Sequence, residues 1–314
     1  MSQDNQGYSA AGEVAQVITR RSRLERMWLD LKKAPLTAWF GIIVILTYAI
    51  VAIFAPWIAP YGETYSGFAA DLPWGGENLL GTDQIGRDVL SRLIYGARNT
   101  IGVAIVTTLL SFVIGVGLGL VAAINRSWLD QIISRFVDVL MSIPSLIFAL
   151  MLLSVFGQTI INLIIIIAIL DSTRVFRLTR SVAVNVVVMD FVEAARLRGE
   201  GLGWIMRREI LPNIMPPLVA EFGLRFCFVF LTIASLSFLG VSGMPTTSAD
   251  WGMMVKEGAN MFATTMQFLE YLDFNGATPG FRPLLAAGCI ALLTVAVNFV
   301  VDWFLHKTSG LKDH

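Results

Sequence analysis

The sequence predicts an all-α, polytopic membrane protein with six transmembrane helices and one large cytoplasmic loop. Three observations carry that fold class. Of 314 residues, 55% are hydrophobic and 15% charged, where a soluble domain carries roughly 25% charged residues. The apolar residues are gathered in long charge-free runs, and the mean hydropathy is +0.69. Lysine and arginine collect in alternate connections between those runs.

Composition also excludes functions. The formal net charge is zero, so there is no basic excess for nucleic acid. The two histidines, His306 and His314, lie at the C-terminus. That argues against a His-based metal centre or a Ser-His triad within the bundle, and no metal ligands are expected. No Gly-rich loop ends in Lys-Ser or Lys-Thr, so the chain is not expected to be its own P-loop ATPase. Cys227 and Cys289 sit in apolar runs and read as small core residues.

Residues 1–38 form a polar tail holding Arg20, Arg21, Arg23, Arg26, Lys32 and Lys33. Trp39 to Trp57 is a charge-free run of 19 residues, close to the ~20 that cross a hydrocarbon core. Tryptophan at both ends suits interfacial anchoring. Thr100 to Ala123 is the second run, 24 residues long. Val139 to Gly157 is the third, and Pro144 within it is placed to kink a helix and free a carbonyl. Gln158 to Leu170 is only 13 residues, so the fourth span must continue past Asp171 and Arg174. Those two are three apart and are expected to pair on one helix face. Pro217 to about Val241 is the fifth run, and Leu284 to Val301 the sixth, closed by Asp302. In domain terms this gives a tail (1–38), a first span with an outer interfacial segment (39–98), a core (99–305) and a C-terminal tail (306–314).

Six spans put both termini on one side. With the N-terminus inside, the inner segments hold 17 Lys and Arg, the outer segments hold 5, and Arg225 lies in a span. Positive charge marks the cytoplasmic side, so both termini and residues 172–216 are expected there.

Within that loop Glu193 to Arg198 is good helix material. Gly199 permits a turn, and Gly201 and Gly203 follow. Trp204 to Leu211 reads as a second short helix that Pro212 stops. Two short helices at an angle, with basic residues at their ends, suit a cleft in a cytosolic partner. A solvated amphipathic loop is the alternative reading of the same pattern.

The spacing Glu193-Ala194-Ala195, three residues, Gly199, nine residues, Glu209-Ile210-Leu211-Pro212 resembles the cytoplasmic signature of ABC importer permeases. An apolar residue often stands where this chain has Glu209. The segment Leu80 to Arg98 reads by itself as a turn at Gly81 and Gly86, then an amphipathic helix whose Arg87, Arg92 and Arg98 reach head groups. It is similar, nearly residue for residue, to the segment before the second span of dipeptide-, oligopeptide- and nickel-type permeases. Ala234 to Gly240, followed by Asp250-Trp251-Gly252-Met253, resembles the same subfamily; by themselves its small residues read as a packing site. The resemblance covers about residues 36–306. The outer loop Gly258 to Phe281 is longer than the family's, and Leu305-His306 stands where the family has Arg-Asp.

The resemblance implies the type I ABC importer permease fold, with a coupling loop at about 190–213. Glu193, Ala194, Ala195, Arg198, Gly199, Arg207, Leu211 and Pro212 would form the contact with an ATPase. It further implies a second homologous permease, two cytosolic ABC ATPase subunits that bind ATP and Mg, and an external solute-binding protein. This chain would bind no cofactor and have no catalytic residue, and the substrate would be a peptide or related small solute. The membrane would be the bacterial inner membrane.

Glu221 and Arg225 are four apart and share a face of the fifth span, placed toward its cytoplasmic end. They read either as the mouth of a translocation pathway or as a helix-end ion pair. Gly115 and Gly119 form Gly-x-x-x-Gly, a helix-packing face. Two other functions compete. A membrane enzyme lacks its His and its paired intramembrane Asp. An ion-gradient-driven secondary transporter would show inverted repeats, of which there is no convincing trace; Glu221 and Arg225 are the pair that would serve it. Dependence on ATP or on an ion gradient separates the two transporters.

Overall fold

In a computed structural model of the chain, residues 34–125, 128–264 and 282–309 are described. The long outer loop expected between Gly258 and Phe281 falls mostly outside them, as do the N-terminal tail up to residue 33 and the last five residues. Among the described residues all regular structure is helical, apart from the isolated bridges Gly75–Asn78 and Thr82–Asp88.

Helix α1 (Leu36–Ile58) is the first apolar run. It packs on the last helix at Gly41, where a Cβ would come within 2.5 Å of the Ala296 carbonyl. Phe40 meets Phe299 edge-on beside this contact. An irregular segment follows, anchored by mutual contacts among Tyr61, Tyr65 and Phe68.

Asp88 then caps α2 (Val89–Ile124), accepting the Ser91 N–H at 2.7 Å. A side-chain acceptor here satisfies a donor the first turn leaves free. At 1.5 Å per residue this 36-residue helix is about 54 Å long. The expected interfacial helix and second span are therefore one continuous rod. Its Gly-x-x-x-Gly face meets the helix Ile160–Val187: a Cβ on Gly115 would lie 2.6 Å from Val175, and one on Gly119 2.7 Å from Thr179.

The third run departs from a single span. Helix α3 (Trp128–Ser142) and α4 (Ser145–Phe156) meet at 92°. Pro144 occupies the break, with ψ of 119° that no helix continues. The connection expected before Asp138 is thus itself helical. Two ion pairs tie α3 to the next long helix: Arg180 grips both oxygens of Asp130 at 2.6 Å, and Arg177 reaches Asp138 at 2.6 Å.

Helix α5 (Ile160–Val187) opens on a Thr159 cap. The Asn162 amide donates back to the Phe156 and Gly157 carbonyls, closing the end of α4. Short helices α6 (Asp190–Leu197) and α7 (Leu202–Ile205) follow. A π turn at Met206–Ile210 leads without a break into α8 (Leu211–Phe238). Helices α9 (Trp251–Thr264) and α10 (Arg282–Ser309) complete the described bundle.

Four helical runs among the described residues are long and apolar enough to cross a membrane: α1, α2, Leu202–Phe238 and α10. The bent pair α3–α4 makes a fifth. Helix α5, the fourth of the six expected spans, falls outside that set because Asp171, Arg174 and Arg177 interrupt its apolar stretch. The central core is built from α2, α4, α5, α8, α9 and α10 around Leu153, Leu163, Phe230, Ile233 and Trp251.

Candidate functional site

The Gly199 turn is formed as the spacing predicts. The Gly199 N–H donates to the Arg196 carbonyl at 2.9 Å, and the Glu200 N–H to the Ala195 carbonyl at 3.2 Å. That pair of bonds is the Schellman end of a helix. It requires a left-handed residue, and Gly199 has φ of 81°. Nothing lies within 4 Å of where its Cβ would be, so glycine serves the backbone conformation and not a tight contact.

Underneath the turn lies a second apolar cluster, separate from the main core. Val192, Ala195, Ile205, Ile210 and Ile214 pack with Leu120, Ala123, Ala183 and Val186. The loop is therefore seated on the adjoining ends of α2, α5 and α8. Its outer side is different. Glu193, Ala194, Arg198, Arg207 and Pro212 are exposed, while Leu211 is half-buried and Ala195 buried. Leu197 is 83% exposed and Leu202 51%. Apolar side chains at a loop tip, rimmed by charge, are the signature of a surface that meets another protein.

Two expectations for this loop are corrected. Pro212 does not stop a helix; it sits just past the π turn Met206–Ile210, and the run from Leu202 to Phe238 is continuous. The helix expected over Trp204–Leu211 is instead one α-turn followed by a π turn. Arg198, exposed on the outer side, has its guanidinium 3.8 Å from Glu209. Glu209 thus has a local role, worth under about 1 kcal/mol for so exposed a pair.

A second constellation lies midway along α5 and α8. Arg225 Nε is 2.7 Å from Glu221, confirming their shared face, and its terminal nitrogen is 3.5 Å from Asp171. Ser111 of α2 donates its hydroxyl to Asp171 at 3.0 Å. The expected Asp171–Arg174 pair is not made: the carboxylate turns to α8, because Arg225 offers a buried cation there. Glu221 and Arg225 stand near the middle of α8, which extends N-terminally beyond the expected span. A lone charge at the bilayer centre costs at least ~2.5 kcal/mol; here two carboxylates share one guanidinium.

Arg174 is left outside this cluster. It is exposed, and its described contact is the Phe228 ring, 5.9 Å away. It borders a cavity of about 280 Å³ with Asp171, Thr173, Ser145 and Thr232, against the Pro144 break.

The arginines expected at head groups are also placed differently. Arg92 is 1% exposed and Arg87 6%. Arg87 pairs with Asp83 at 2.6 Å, and Glu257 of α9 lies within 3.8 Å of both arginines. Arg98 alone of the three is exposed. Sequence spacing marked these charges but not Glu257, which is distant in the chain.

A bundle of apolar helices with a self-packed loop at one end is the frame of a membrane protein of the transport-permease class. Residues 115–309 match the family model described as binding-protein-dependent transport system inner membrane component, and the chain belongs to that family. Residues 22–73 match the N-terminal transmembrane domain of oligopeptide transport permease C. The chain is 35% identical over 269 residues to the di/tripeptide transport system permease protein DppC of Pseudomonas aeruginosa, covering 83% of this chain and 86% of that one. It is 37% identical over 286 residues to the dipeptide transport system permease protein DppC of Escherichia coli, covering 89% and 92%. It is 30% identical over 276 residues to the glutathione transport system permease protein GsiD of Pectobacterium atrosepticum, covering 84% and 91%. The chain is thus a multi-pass inner-membrane permease.

Proposed function

We propose that this chain is one of two membrane subunits of an ATP-driven importer of di- and tripeptides. The second subunit is a homologous permease. Two cytosolic ABC ATPases bind ATP and Mg and dock on the loop centred at Gly199. An external solute-binding protein delivers the peptide. Both termini and the docking loop face the cytoplasm, in keeping with the 17-to-5 distribution of Lys and Arg. The names of the relatives support the substrate class.

The observation that carries the docking role is the loop's two-sidedness. Its inner side is locked to three long helices by the Val192–Ile205–Ile214 cluster, and its outer side offers Leu197, Leu202 and Trp204 unpaired. A force applied outside is passed to the bundle without loss in a soft linker. Closure of the ATPases on ATP would move the loop with α5 and α8 and alternate access to the pathway.

Affinity purification of the chain from native membranes in mild detergent tests this. Recovery of a second permease and P-loop ATPases, both ATPases lost on Gly199→Pro while the permease pair persists, is the expected result. A chain that purifies alone, with uptake driven by an ion gradient, would sink the reading in favour of a secondary transporter.

A further inference from the structure

We propose that Arg174 binds the terminal carboxylate of the transported peptide, in the cavity beside the Pro144 break. The proposal rests on the reading of the chain as a peptide permease, and it assigns a substrate-binding residue within it.

The starting point is charge accounting around the centre of the bundle. Asp171, Glu221 and Arg225 are engaged with one another, and Ser111 completes the Asp171 carboxylate. Arg174, one turn further along α5, makes no ion pair within 4 Å with a described carboxylate, although its charge acts on Asp171 and Glu221 nearby. A guanidinium is always charged, and Arg174 is exposed at the cavity edge, where an anion could reach it. The Phe228 face at 5.9 Å offers a weak cation–π contact only. Arg225 stands closer to the same ring, at 4.6 Å, so Arg174 has the lesser share of it.

The surroundings supply a place for an anionic ligand. The cavity of about 280 Å³ is edged by Thr173, Ser145 and Thr232 as well as Arg174, and is close in size to the lower range of ligand pockets, about 300 Å³. Irregular backbone at membrane depth is tolerated where it lines such a space, and the Pro144 break does so. The positive end of α4 opens onto the same wall. A planar guanidinium matches a carboxylate with two parallel hydrogen bonds. Asp171 also borders the cavity, with its carboxylate engaged by Arg225 and Ser111. The apolar lining from Leu140, Met141 and Ile167 accepts varied side chains, as an importer of mixed peptides needs.

The test uses the purified complex with Ser145→Cys as a reporter at the cavity edge and Cys227 and Cys289 replaced by alanine. Labelling by a small thiol reagent is measured with excess dialanine or its C-terminal amide, added directly. Dialanine should slow labelling and the amide should not. Arg174→Gln should weaken that protection on the order of tenfold or more in dialanine concentration, the worth of one charge-assisted hydrogen bond. Arg174→Lys should restore part of it. Arg177→Gln, which removes a neighbouring α5 cation paired to Asp138, should leave the discrimination between acid and amide intact. Equal protection by acid and amide, or protection unchanged in Arg174→Gln, overturns the proposal. So does loss of the permease pair in Arg174→Gln and Arg174→Lys alike, since Arg174 would then be an assembly residue. Uptake of dialanine by the unmodified complex is measured in parallel. Uptake without protection removes this site and leaves the importer standing, while absence of any di- or tripeptide uptake removes the importer reading itself.

Discussion

Trp251 donates its indole N–H to the Leu93 carbonyl at 2.9 Å, and its ring lies over Gly96. A Cβ on Gly96 would stand 2.5 Å from the ring carbon Cδ1. Trp251 is 1% exposed, so the ring has no free space to retreat into. Helices α2 and α9 are thereby fixed at one point. Gly96→Val should destabilise the protein by about 1–3 kcal/mol, the usual cost of overpacking. A thermal melt of the purified protein in detergent reads this directly; an unchanged midpoint would mean the helices part easily here.

Arg225→Leu should be far more damaging than its single charge suggests. It leaves Asp171 and Glu221 buried side by side without a cation, at a cost of about 3–5 kcal/mol. Adding Asp171→Asn and Glu221→Gln to Arg225→Leu should recover most of the lost yield. If the triple variant is no better expressed than Arg225→Leu, the loss stems from packing and not from uncompensated charge.

Gly199→Ala forces an L side chain into a left-handed backbone, costing about 1–2 kcal/mol. Because no atom crowds that site, the strain should stay local. Membrane insertion and melting of the bundle should be nearly unaffected, while peptide-stimulated ATPase activity of the complex falls. Gly199→Asn, better tolerated at such φ, should fall less. Equal activity in both variants and the unmodified chain would remove the turn from the coupling route.

Asp250 lies between α8 and α9, accepting the Gly252 N–H at 2.9 Å. Burial raises its carboxyl above the ordinary value, against the opposing pull of that hydrogen bond. The folded chain then holds the proton more tightly than the unfolded chain does. The contribution to stability is fullest below about pH 3.9, the unfolded value, and is lost as pH rises through the raised folded value. Asp250→Asn keeps the acceptor and should flatten this part of the pH–stability curve. Melts from about pH 4 to about pH 8 check it, and identical curves would show that Asp250 is not ionised in the unfolded chain's favour.

The sequence and the structure agree where a single residue's chemistry decides the local backbone. Gly199 is legible because a turn with positive φ at that spacing has one suitable residue type. Gly115 and Gly119 are legible because close helix approach needs the absence of a side chain. Disagreement arises where the deciding partner is remote. Asp171 sees Arg174 in the sequence, but Arg225 arrives from another helix and wins. Arg87 and Arg92 look like head-group contacts until α9 brings Glu257 beside them. Pro212 looks like a stop because spacing rules assume α-helical hydrogen bonds, and the π turn at Met206–Ile210 re-spaces them just upstream. The Gly199 turn is therefore legible in place while the helices after it are not, and Arg174, paired with Asp171 on paper, stands outside the Asp171–Arg225 pair.

The continuity of the run from Leu202 to Phe238 has a mechanical meaning. Its 37 residues make a rod of about 55 Å, interrupted near the loop by one π turn and by Pro216 and Pro217 inside the helix. A rocking of such a rod by about 10° about one end carries the other by about 10 Å. The shaft joins the loop beneath Gly199 to Ser237 and Gly240 at the far end of the bundle, with Arg225 near its midpoint. Such a lever would enlarge a small tilt at the loop into a displacement at the far end, with Glu221 and Arg225 partway along the arm.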